Sequence, residues 1–162
     1  MEELKITSNE LITDINHLAK QILESPTNYE SMLVLNRGSM IIAGILAYRL
    51  EIRNIQYIDI NLLYADNYTT VVSKTINTKL LKGNLTGKTL LVTDVAHTGN
   101  TIQEGLNMFN ETYPNNTIDF ATMYYIESSK VKPKYYTRKF TKKVWIVFPW
   151  DSTGYIPMSN HI

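Results

Sequence analysis

Residues 89–101 read Thr-Leu-Leu-Val-Thr-Asp-Val-Ala-His-Thr-Gly-Asn-Thr, and this stretch restricts the possible folds more than any other. Its first four residues, mostly apolar and β-prone, predict a buried strand. A short turn follows, carrying one carboxylate, Asp94, and one imidazole, His97. Thr98-Gly99-Asn100-Thr101 then opens an amphipathic helix with Ile102, Leu106 and Phe109 at helical spacing. A strand that ends in a glycine turn at a helix N-terminus presents free backbone N–H groups and the positive end of the helix dipole. Such a junction is suited to a phosphate.

A second unit of the same kind lies upstream. Met32-Leu33-Val34-Leu35 is a continuous apolar run, as in a central parallel strand. Asn36-Arg37-Gly38-Ser39 reads as a turn, and residues 41–47 as a buried helix. Arg37 in such a turn suits bidentate anion binding, while an ordinary surface arginine beside a turn glycine is the plainer reading. Before this unit, Leu11, Ile15, Leu18 and Ile22 repeat at helical spacing after a cap at Ser8 or Asn9. His17 falls off that stripe and reads as a solvated surface residue.

After it, residues 55–63 alternate as a half-buried strand. The pattern weakens from 64 to 88, where Val71-Val72 and Ile76 suggest a short strand pair and the rest reads as a mobile loop able to close over a ligand. Residues 118–126 form the next strand. The segment 130–143 holds seven basic residues and no acidic one, and residues 144–148 give a last apolar strand before Pro149-Trp150-Asp151.

Alternating strands and helices predict an α/β domain with a mainly parallel sheet flanked by helices. In such sheets ligands sit at the carboxyl ends of the strands. Arg37-Gly38, residues 94–101 and residues 145–151 would converge there. A chain of 162 residues is expected to form a single domain over 1–162. Its net charge of +1 argues against binding polyanions by bulk charge, and the absence of cysteine excludes disulfides and Cys-based metal sites. Met1-Glu2-Glu3-Leu4-Lys5 lacks the basic and apolar regions of a signal peptide, and no apolar run approaches the ~20 residues of a membrane span, so a cytoplasmic location is expected.

In the order and spacing of three motifs, the chain resembles the type I phosphoribosyltransferases, especially the short bacterial xanthine–guanine and archaeal hypoxanthine–guanine branch. Residues 89–101 match the phosphoribosyl-pyrophosphate (PRPP) motif of that family, Asn36-Arg37-Gly38 its pyrophosphate loop, and Trp145-Ile146-Val147-Phe148-Pro149-Trp150-Asp151 its purine-side segment. The resemblance implies a parallel-sheet fold with a mobile loop and a small C-terminal base-binding hood. It implies transfer of phosphoribosyl from PRPP to a 6-oxopurine-type base in nucleotide salvage, with Mg²⁺ as cofactor. By this resemblance Thr98, Gly99, Asn100 and Thr101 hold the 5′-phosphate, and Arg37 and Gly38 meet the pyrophosphate. Trp145 and Ile146 bind the purine, Asp94 and Asp151 serve the metal, and Asp94 and His97 are catalytic. A homo-oligomer, dimer or tetramer, is implied too.

Three positions depart from the family pattern. Thr93 stands where the first carboxylate of the motif is expected, His97 where a later Asp is expected, and Ile126 where a lysine would read the exocyclic oxygen of the purine. His97 remains a competent general base near neutral pH. The same losses admit an alternative reading, a catalytically impaired PRPP- or nucleotide-binding regulator. A third reading, nucleic-acid binding through 130–143 and its interleaved aromatics, competes with a solvated surface connection or a subunit interface.

Overall fold

Every residue of β2 (Ser31–Leu35) is buried, as an unbroken apolar run requires of a strand covered on both faces. In the computed structural model, which describes residues 2–65, 71–77 and 84–151, this strand lies inside a six-stranded sheet. Its two neighbours, β3 (Asn54–Tyr64) and β5 (Lys88–Ala96), run parallel to it. Beyond β5 the parallel set continues through β6 (Thr117–Ile126) and β7 (Tyr135–Phe140). β4 (Val71–Asn77) closes the other edge, antiparallel to β3.

Strand alternation divides the core in two. Met32, Val34, Leu90 and Val92 pack with α1 (Ser8–Leu23) and α2 (Asn36–Arg49), whereas Leu33, Leu35 and Leu91 pack with α3 (Asn100–Thr112). Helices thus cover both faces, as the α/β reading expects. Because the chain leaves β2 for β3 on one side and pairs β5 on the other, a crevice opens at the carboxyl ends of β2 and β5.

Local boundaries differ from the sequence reading in instructive ways. The α1 cap is Thr7, not Ser8 or Asn9: its hydroxyl accepts from the Glu10 N–H, and the Glu10 carboxylate accepts from the Thr7 N–H, a closed capping box. No turn separates β2 from its helix; α2 begins at Asn36, so Arg37, Gly38 and Ser39 form its first turn. β5 has nine residues rather than four, because Thr93, Val95 and Ala96 keep pairing with β6. Asp94 therefore stands on a rigid strand, and only 97–99 turn. The weakly patterned region contains the full strand β4, while residues 66–70 and 78–83, the rest of the expected closing loop, lie outside the described residues.

The last strand, β8 (Val144–Val147), does not join the main sheet. It pairs in parallel with β1 (Glu2–Lys5), a strand too short and too charged to be read from pattern. This two-stranded hood leaves Trp145 exposed between buried Val144 and Ile146. The basic run, a surface connection in its plainest reading, contains β7, and three of its seven cations are held in ion pairs. Lys134 pairs with Asp119 (2.6 Å), Arg138 with Asp14 (2.8 Å) and Lys139 with Glu127.

Candidate active site

Two helices begin at the crevice, and neither caps itself. α2 starts after Leu35 and α3 after Gly99; neither N-cap offers a side-chain hydrogen bond, and neither first turn holds an acidic residue. α1 instead closes its own N-terminus with Thr7 and Glu10. The start of α3 therefore turns its positive dipole end to a small recess, and the start of α2 borders both that recess and a larger cavity.

That cavity measures about 960 Å³. Arg37 and Gly38 line it from α2, Asp59 and Asn61 from β3, Asp94 and His97 from the β5 end, and Trp145, Ile146, Trp150 and Asp151 from the hood. A smaller recess of about 130 Å³ adjoins it, bounded by Thr93, Asp94, His97, Thr98, Gly99 and Thr101. Asn100, named with these from sequence, is buried in the first turn of α3, where its N–H reaches the Thr98 hydroxyl at 3.4 Å. The structure thus brings all the sequence-identified positions to one place.

Glycine is required at two of them. Gly99 has φ +80°, and a β-carbon there would come within 2.7 Å of the Ser129 hydroxyl and 3.0 Å of the Val131 nitrogen. At Gly38 a β-carbon would meet the Asp94 Oδ2 at 2.2 Å.

Asp94 is firmly oriented. Its Oδ1 accepts from the Val95 N–H (2.7 Å) and the Thr93 hydroxyl (3.3 Å), and its own N–H donates to the Ser39 hydroxyl (3.2 Å). Burial pushes this carboxyl above the usual carboxylate range against those hydrogen bonds, and the negative charge of Asp151 adds to the rise. Asp151 accepts the Phe148 N–H on Oδ2 at 3.1 Å, which folds residues 148–151 into the cavity wall. Burial holds the His97 pKa below its ordinary 6.5, and the Lys143 ammonium lowers it further, so the imidazole is neutral at pH 7. Its Nε2 is buried and has no hydrogen-bond partner among the described residues.

Trp145 is 47% exposed, and Trp150 stacks on Phe148 with centroids 4.5 Å apart and planes within 7°. Ile126 is fully buried at the end of β6. Lys130, the nearest basic residue to it in sequence, donates its backbone N–H to the Thr98 carbonyl at 3.0 Å. The sequence reading names Asn36, Ser39 and Trp150 within its motifs but gives them no role, and it misses Asp59 and Asn61. Asp59 and Asn61 were findable: they share one face of an alternating strand next to β2.

A model of the phosphoribosyl transferase domain matches residues 3–154. The chain belongs to that family. Among curated phosphoribosyltransferases it is 27% identical over 147 residues to the xanthine-guanine phosphoribosyltransferase of Nitratidesulfovibrio vulgaris strain Hildenborough, covering 91% of this chain and 83% of that protein. A purine phosphoribosyltransferase structure from Pyrococcus horikoshii superposes with a TM-score of 0.74 at 23% identity, covering 96% and 98% of the two chains. The Helicobacter pylori xanthine-guanine-hypoxanthine phosphoribosyltransferase gives 0.77 at 18%, covering 93% and 94%. These structural likenesses establish a shared fold, with its sheet and hood. No helix among the described residues is long and apolar enough to cross a membrane.

The phosphoribosyltransferase fold raises the question of a divalent cation. Among the described residues, no group of three or more His, Asp or Glu side chains is placed to hold a metal alone. Mg²⁺, however, usually takes only one or two carboxylates, with substrate oxygens and water completing its shell. Asp94 and Asp151 share the cavity, and their mutual repulsion is what such a cation relieves. The site fits Mg²⁺ in that mode.

Proposed function

We propose that this phosphoribosyltransferase-family chain is a Mg²⁺-dependent purine phosphoribosyltransferase. It joins a 6-oxopurine-type base to the ribose of PRPP and releases pyrophosphate, a salvage reaction. The observation that carries this reading is that the large cavity, lined by the start of α2 and an exposed tryptophan, shares Asn36, Asp94 and His97 with the recess at the start of α3. The names of the curated relatives support the purine.

In this reading the N–H groups and hydroxyls of Thr98, Gly99, Asn100 and Thr101 hold the 5′-phosphate. Arg37 and the backbone at Gly38 take the pyrophosphate. The exposed face of Trp145 stacks on the base, and the Ile146 backbone reads its edge. The bond from C1′ to the pyrophosphate oxygen breaks with its electron pair leaving on that oxygen. A ring nitrogen of the base bonds to C1′, and its proton passes to the neutral imidazole of His97, which lines the cavity. Much of the acceleration then comes from positioning and fixed charge. Mg²⁺, when bound by Asp94 and Asp151, supplies neutralisation of the leaving pyrophosphate. Incubation with PRPP, Mg²⁺ and a panel of bases, read as nucleotide formed, tests the proposal.

The partners follow the same reading. A homo-oligomer is proposed, because the outer face of α2, with Met40 and Tyr48, is apolar and exposed, and Tyr48 is 92% accessible. A helix apolar on both faces is normally covered. Nucleic acid fits less well, since three of the seven cations in 130–143 are already paired. A second reading, a nucleotide-binding regulator on the same fold, draws support from Thr93 and Ile126, whose uncharged side chains are buried where the resemblance expects charged groups.

A further inference from the structure

Asn36 is the first residue of α2, and it adopts φ +63°, one of two non-glycine residues with positive φ among those described. Asparagine tolerates this left-handed conformation better than most residues, but it still carries strain unless its surroundings hold it. They do. The Asn36 Nδ2 donates to the Ile60 carbonyl at 3.1 Å, and its Oδ1 accepts the Ile60 N–H at 2.8 Å. The last paired residues of β2 and β3 are Leu35 and Ile58, so this amide grips β3 just beyond the point where the backbone ladder stops. Asparagine offers the donor and the acceptor on two separate atoms, as this ring requires; an aspartate supplies only the acceptor, and a serine hydroxyl has a single atom for both roles.

The consequence concerns the residues on either side. Arg37 and Gly38 follow immediately, and Asp59 and Asn61 flank Ile60; all four line the large cavity with Asn36 itself. Leu35, as N-cap, contributes no side-chain hydrogen bond to hold the start of α2. Among the described residues, the Asn36 amide is the side-chain tie between the start of α2 and β3.

We propose that Asn36 is a positioning residue for the pyrophosphate end of the site: its paired hydrogen bonds to Ile60 fix the first turn of α2, and with it Arg37 and the N–H groups beside Gly38. The proposal rests on the phosphoribosyltransferase reading above. It assigns Asn36 no contact with substrate.

The test uses the full chain with inorganic pyrophosphate and PRPP as probes, each with Mg²⁺. Asn36→Gly relieves the backbone strain and removes the amide; Asn36→Ala removes the amide and keeps the strain. Calorimetric titration should show pyrophosphate binding weakened about tenfold in both variants, the worth of roughly one lost hydrogen-bonded tie. In steady-state assays KM for PRPP should rise by a similar factor while KM for the base stays within about twofold. Asn36→Ala should lower Tm further than Asn36→Gly, because it also keeps the backbone strain. Equal affinity for pyrophosphate in wild type and Asn36→Gly, or an equal rise in both KM values, overturns the positioning role while leaving the enzyme reading intact. A folded wild type that binds neither pyrophosphate nor PRPP overturns both.

Discussion

The Asp94 carboxylate lies against Gly38 so closely that a β-carbon at residue 38 would stand 2.2 Å from Oδ2. A residue of the motif strand β5 and the first turn of α2 are thereby fitted to each other across the crevice, reinforced by Ser39, which accepts the Asp94 N–H. Gly38→Ala should therefore displace the carboxylate or the helix start. Overpacking of this kind costs about 1–3 kcal/mol, and turnover should fall at least tenfold. Gly44→Ala, in the same helix with nothing within 4 Å of the added carbon, is the control. It should raise stability by about 0.5–1 kcal/mol with activity unchanged. Thermal denaturation and initial rates on the two variants check the pair.

The acid limb of the pH profile should belong to His97. Its folded pKa lies below 6.5, first through burial and then through Lys143. Protonation therefore disables a general base only below that lowered value, and kcat/KM should be flat at neutral pH and fall under acid conditions. Lys143→Met removes one lowering cause and should move the limb to higher pH. His97→Gln should lower kcat by about 100-fold or more, the usual contribution of a positioned base.

The same group makes a stability prediction. The unfolded chain binds a proton at His97 at higher pH than the folded chain does, so stability rises with pH across the window between the two pKa values. As pH falls through 6.5 toward the lowered value, wild type should lose stability and His97→Gln should lose less. Denaturant titrations at several pH values read this difference directly.

Asp94 should show opposed effects on stability and activity. Its carboxyl is pushed up by burial and by Asp151, so ionisation at pH 7 costs the empty protein stability. Asp94→Asn keeps an acceptor for the Val95 N–H and removes the charge. It should raise Tm in the absence of ligands while lowering turnover by about 100-fold, the scale of a lost electrostatic contact in the transition state.

The outer face of α2 gives a test of assembly. Tyr48→Lys places a charge at its most exposed residue. Sedimentation velocity should show an oligomer for wild type and a smaller species for the variant, with the Tm of the protomer altered little.

The α/β class, the two strand–helix units and the convergence of three distant segments were legible because they rest on hydrophobic runs and glycine position. Boundaries were less so. β5 runs through Thr93 and Asp94, since strand pairing with β6 outweighs the polar character of residues that face the crevice. β1 has four residues, two of them Glu, and exists only because β8 lies beside it. Asp14 sits among the apolar positions of α1 yet is buried, because Tyr124 and Arg138 from distant strands satisfy its carboxylate. The Asn36 tie joins residues 24 apart in sequence, a pairing that no local pattern marks.

Pyrophosphate release from PRPP and Mg²⁺ with each of xanthine, guanine, hypoxanthine and adenine tests the central claim most directly. The account predicts release with at least one 6-oxopurine, loss of that release in Arg37→Ala and Gly99→Ala, and no comparable release with adenine. No release with any base, alongside clear thermal stabilisation by PRPP or a nucleotide, would contradict it and establish a binding protein on a phosphoribosyltransferase fold.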